Sequence, residues 1–159
     1  MSQAIVSSLR GPIDHAFVLM GDFIAACPDD LWVEKKGGWP IWQQLYHNIT
    51  AVDFFIEVKG ESPAPPLASG EVCGLEEVGT APLTKDQIKQ ACGAVKARVD
   101  KYVAALNDED LAKRNEALFA RAKMDMSYAA TLSLLAGHTL YHLGSCDAAL
   151  RDRGLPGVF

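Results

Sequence analysis

The sequence predicts an all-α protein, a four-helix bundle with a long crossover between its second and third helices. Three observations carry that expectation. Apolar residues recur every three or four positions along four long segments, which places them on one side of a helix in each. No segment alternates apolar and polar residues over the length of a strand, and no internal repeat is present. Between the second and third segments, residues 60–83 are rich in Pro, Gly, Ser and Ala without a sustained period. A stretch of that length inside a compact fold is most economically a connection that crosses the bundle.

The first helix is expected over residues 4–27, where Ile5, Leu9, Ile13, Phe17, Met20, Phe23, Ile24 and Cys27 share a face. Gly11-Pro12 interrupts it. Proline fits a first turn but clashes inside a helix, so either a kink or a true start near Pro12 is expected. The second helix is expected from Trp39 to Lys59, with Pro40 in the first turn and Gly60 just past the end. Ile41, Leu45, Ile49, Val52 and Ile56 make one stripe. Gln43, His47, Thr50, Ala51, Phe54 and Val58 make another, roughly opposite and equally poor in charge. A helix with two such faces is covered on both, so His47 is expected to look inward.

Thr84-Lys85-Asp86-Gln87 has the pattern of a capping box and opens the third helix, which Ile88, Ala91, Cys92, Val95, Val99, Tyr102, Val103 and Leu106 continue. The polar segment that follows is expected to hold a short helix from about Asp108 to Phe119. Asp125 or Ser127 caps the fourth helix, which runs through Leu134, Leu135, His138, His142, Ser145 and Ala149 to Arg151, before Arg153 and Gly154 mark its end.

A chain of 159 residues with 49% hydrophobic and 22% charged content is expected to form one domain over residues 1–159, since that length can bury roughly 70% of its unfolded surface. Cys27, Cys73, Cys92 and Cys146 show no C-x-x-C spacing, which argues against a disulfide framework or a zinc-thiolate knuckle. With no charged-then-apolar leader, a cytoplasmic location is expected. No apolar run reaches the roughly 18 residues of a membrane span. The formal charge of -5 repels a phosphate backbone, so neither a membrane nor nucleic acid is an expected partner.

The candidate chemistry lies in "GHTLYHLGSC", residues 137–146, where two of the four histidines fall in the most apolar helical stretch. Residues four apart on a helix differ by about 40° and stand one turn apart, so His138 and His142 can direct their rings at one point. Leu134, Leu135 and Ala149 on the same stripe place that point inside the bundle. A buried imidazole needs a partner for each nitrogen, and a divalent ion plus one hydrogen bond per ring meets the need. His47 then supplies a third ligand. Three neutral nitrogens without thiolate or carboxylate form the ligand set of an open catalytic site, with a position left for water or substrate. The competing reading is that each histidine is a packed core residue; the pair at i, i+4 and a third inward ring favour the ion.

Other residues receive plainer readings. His15 lies on the side of helix one away from Ile13, Phe17 and Met20 and is expected to be exposed. Gln43 and Gln44, one turn before His47, either orient ligands or substrate or simply face solvent. Trp39 and Trp42 are expected to pack at a helix start, and Gly137 and Gly144 to leave room for helix packing or a cavity. Glu76-Glu77 and Asp108-Glu109-Asp110 read as solvated acidic surface. No G-x-S-x-G elbow is present, and no cysteine has a base nearby in sequence.

Together "WPIWQQLYHNITAVDFF", the Pro-rich crossover and "GHTLYHLGSCDAALRDRGLPG" resemble the DinB-like (DinB/YfiT) superfamily of metal-binding four-helix bundles, from about Leu31 onward. The shared pattern is one His on helix two and H-x-x-x-H on helix four, followed by Leu143-Gly144 and by Ala149-Leu150-Arg151 ahead of Gly154. The resemblance implies a divalent metal, usually nickel or zinc, on His47, His138 and His142, with water completing the coordination, in a homodimer. Relatives include transferases and isomerases that use a low-molecular-weight thiol such as bacillithiol or mycothiol. The expected function is a metal-dependent enzyme of thiol S-transferase or hydrolase type, acting on a small-molecule substrate. The alternative is a non-catalytic homodimer that binds metal or a small ligand.

Overall fold

Four long helices close a ring in the computed structural model, which describes residues 2–159. They are α1 (Ala4–Ala26), α3 (Ile41–Phe55), α5 (Lys85–Ala104) and α7 (Tyr128–Asp152). Shorter helices α2 (Asp29–Trp32), α4 (Gly70–Cys73) and α6 (Glu116–Ala122) lie in the connections, with a two-residue hairpin, β1 (Lys35–Lys36) and β2 (Trp39–Pro40). α1 packs on α7 and α5, and α3 packs on the same two helices from the other side. The all-α bundle and its crossover are therefore as expected. No helix among the described residues is long and apolar enough to cross a membrane.

α1 begins at Ala4 and runs through Pro12, so a start near Pro12 is not what the chain adopts. The cause lies about a hundred residues away. The Asp108 carboxylate accepts the Ala4, Ile5 and Val6 N–H groups, satisfying three donors that a helix start otherwise leaves orphaned. Asp108, read as solvated acidic surface, is thus the cap of α1. The Ser2 hydroxyl and those backbone N–H groups hold its carboxyl below the usual range. The apolar face is also rotated slightly: Val6 is buried, whereas Ile5 is 57% exposed.

The hairpin displaces the start of the second helix. Gly37 and Gly38, at φ +61° and +98°, make a turn that other residues rarely adopt, and it pairs Trp39 and Pro40 with Lys36 and Lys35. The helix opens at Ile41 and stops at Phe55, because Ile56 turns extended and buries its side chain. The Thr84 capping box opens α5 as expected. Asn115, not Asp108, caps the short α6, through the Leu118 N–H. Of the two candidate caps of α7, Ser127 is the one used.

The crossover is held by three buried side chains. Gln43 Nε2 donates to the Val72 and Glu77 carbonyls at 3.0 and 2.6 Å, while its Oε1 accepts the Gly79 N–H. The Tyr46 hydroxyl accepts the Leu67 N–H at 2.6 Å, and Trp32 Nε1 donates to the Leu83 carbonyl. These bonds supply the partners that an irregular segment lacks when it lies against a core. They also fix α4 over the middle of α3, beside His47.

Candidate metal centre

α3 is enclosed because its two apolar-rich faces meet different partners, the ring of long helices on one side and the crossover on the other. His47 sits where α3 faces α7, and the single turn that separates His138 from His142 directs both toward it. Ring centroids lie 5.4 Å apart for His47–His138, 4.7 Å for His47–His142 and 4.6 Å for His138–His142. One ring nitrogen from each falls within 4.8 Å of the other two. All three residues the sequence singled out therefore converge, and each is half-buried. His15 is exposed, as expected.

Two rings are oriented from behind. His47 Nδ1 lies 2.7 Å from the Cys73 carbonyl at the end of α4. A carbonyl can only accept, so Nδ1 carries the proton and Nε2 keeps its lone pair. His138 Nδ1 faces Asn48 Oδ1 at 3.2 Å in the same arrangement. His142 makes no hydrogen bond to the described residues, and its ring is bordered edge-on by Tyr141 at 5.2 Å. Phe55 borders His138 at 5.8 Å. Asn48 is fully buried, yet its Nδ2 has no partner among the described residues.

Burial lowers the imidazole pKa of all three, most strongly for His138 and His142, which fall to about 4 and also feel the other rings. At neutral pH the site is thus three uncharged nitrogen donors. That fits a divalent cation. Nitrogens bound to a tetrahedral ion at about 2.1 Å stand about 3.4 Å apart, inside the 4.8 Å within which the three ring nitrogens lie. Packed core histidines would instead be expected to find protein partners for their inner nitrogens. Here those nitrogens face one another, and the outer ones of His47 and His138 are already bonded.

The remaining candidates resolve differently. Gln43 binds the crossover, and Gln44 Nε2 donates to the Lys36 and Trp39 carbonyls; neither is exposed, and both act on the chain around the site. Trp42 is buried and Trp39 partly so. The four cysteines are free; burial pushes the Cys27 and Cys92 thiols up to about 11 and Cys146 higher still, which disfavours a thiolate nucleophile. Cys73 meets His47 through its carbonyl, which any residue could supply, so no sequence signal marked it. Asn48 was missed although a signal existed: an amide inside an apolar helix is disfavoured unless its side chain has work to do.

The family profile described as "DinB superfamily" matches residues 19–146. A DinB-like protein from Bacillus cereus ATCC 10987, known from its crystal structure, matches with a TM-score of 0.67 over 100% of both chains at 19% identity, a likeness of fold. No curated protein matches the sequence.

Proposed function

This chain belongs to the DinB superfamily, and from that premise we propose that His47, His138 and His142 hold a divalent cation in a metal-dependent enzyme of thiol S-transferase or hydrolase type. The observation that carries the reading is the convergence of three neutral ring nitrogens within 4.8 Å, with two of the rings locked from behind. Such a cation, when bound, supplies electrostatic activation of a water, a thiol or a carbonyl. The chain supplies the rest. The Cys73 carbonyl and Asn48 hold the tautomers that present Nε2, and partial burial keeps the rings uncharged and strengthens their hold on a cation. Tyr141 and Phe55 border the rings as aromatic walls for a small-molecule substrate. The ligand set lacks a protein anion, which leaves room for an exogenous one such as a thiolate.

The proposal extends to nickel or zinc as the ion, both suited to imidazole, and to a low-molecular-weight thiol as co-substrate. It also extends to a single domain over residues 1–159, a homodimer and the cytoplasm, where unpaired cysteines persist. Elemental analysis of protein purified without a metal-affinity tag tests the ion, and one equivalent per chain is expected. Electrophiles offered with thiols to the metal-loaded protein test the reaction. Turnover abolished by His142→Ala supports the enzyme; tight binding with no turnover assigns the site to a non-catalytic binding protein.

A further inference from the structure

We propose that a second site, separate from the histidines, binds a small apolar carboxylate in the cavity between α3, α5 and residues 63–67 of the crossover. The cavity measures about 590 Å³, within the range of roughly 300–1,000 Å³ typical of small-molecule sites. Its roof is Pro63-Ala64-Pro65-Pro66-Leu67. Three prolines fix the backbone and present no N–H, so the roof is stiff and offers little to a polar ligand. The hydrogen bond from the Leu67 N–H to the Tyr46 hydroxyl pins its end. Ala91 and Ala94 on α5 present only methyl groups to the space, and Ile49 adds an apolar wall. Phe54 and Leu67, large apolar side chains exposed to solvent, also border this cavity.

Charge decides the ligand class. Arg98 lines the cavity but is neutralised by Asp53 at 2.6 Å. Arg121 also lines it and has no carboxylate partner among the described residues; its guanidinium rests 5.4 Å from the Phe54 ring and donates only to the Ile56 carbonyl, at 3.4 Å. Tyr46 accepts from Leu67 and keeps its own O–H to donate. A mostly apolar cavity whose one unpaired charge is Arg121, with the Tyr46 hydroxyl and the neutral side chains of Thr50, Gln87 and Gln90 beside it, suits a hydrocarbon or aryl body ending in a carboxylate. A protein strand would find no sheet edge here with which to pair.

Isothermal titration with decanoate tests the site, with decanol as the neutral control. One decanoate per chain is expected, at least tenfold tighter than decanol. Arg121→Met should remove that preference, and Ala94→Trp should fill the space and abolish binding, with an unchanged helical circular dichroism spectrum. His142→Ala should bind decanoate as the parent does, so the result stands apart from the fate of the metal reading. The proposal is overturned by no saturable binding below millimolar decanoate, by undiminished binding to the Ala94→Trp protein, by equal affinity for decanol, or by loss of binding in His142→Ala.

Discussion

At the scale of single residues, the candidate centre depends on what stands behind its rings. Asn48 is the clearest case, a fully buried amide that donates to nothing described and accepts from His138. A buried N–H group without a partner costs roughly 1–3 kcal/mol, which packing alone does not recover. Asn48→Ala is expected to weaken divalent-metal affinity roughly 10–100-fold while leaving the ligands in place. Metal titration followed by calorimetry checks this, and an unchanged affinity would remove Asn48 from the site. Gln43 works on the chain instead. Gln43→Ala orphans the Glu77 carbonyl and the Gly79 N–H, while the Val72 carbonyl keeps the Leu75 N–H, so a loss of roughly 2–3 kcal/mol in urea unfolding is expected.

At the scale of elements, the crossover is a structural part of the centre, because its helix α4 ends in the carbonyl that orients His47. Gly79 holds it down where no side chain fits: a Cβ there would stand 2.5 Å from the buried Trp42 ring. Gly79→Ala should therefore both destabilise the fold and reduce metal affinity, readable as a lower urea midpoint together with a weaker metal titration. A loss of stability with full metal affinity would uncouple the crossover from the site. α1 offers the opposite sign. Pro12 is exposed inside a helix, where it removes one backbone hydrogen bond, so Pro12→Ala should stabilise the protein by about 1–2 kcal/mol in the same assay.

At the scale of the whole molecule, the three histidines link folding to pH. Their native pKa values lie below the ordinary 6.5, at about 4 for His138 and His142, so between those limits the unfolded chain binds more protons than the folded one. Stability then rises with pH across the window and is lost as pH falls from about 6.5 toward 4. Melting temperatures from pH 7 to 4 should show that decline, and replacing all three histidines should flatten it. The same shift lets the rings hold a cation against protons at mild acidity, so metal affinity should fall far less between pH 7 and 5.5 than it would for three imidazoles of ordinary basicity. A fall of about several hundredfold, which three imidazoles titrating near the ordinary value would produce, would mean that burial does not depress them.

The all-α bundle, the existence of the crossover and the three candidate histidines were legible in the sequence, although the crossover starts at Ile56 and not at Gly60. Each follows from local period: apolar residues at three and four mark a helix face, and i, i+4 on such a face sends two rings to one point. Folding in three dimensions is what makes Asp108 the cap of α1, sets Gln43 to clamp the crossover, and stands the Cys73 carbonyl and Asn48 behind the rings. All four join groups at least 26 positions apart, three of them through backbone atoms that every residue carries. Asn48 is reached from α7, ninety positions along. No local pattern encodes such partners, and packing alone brings them together.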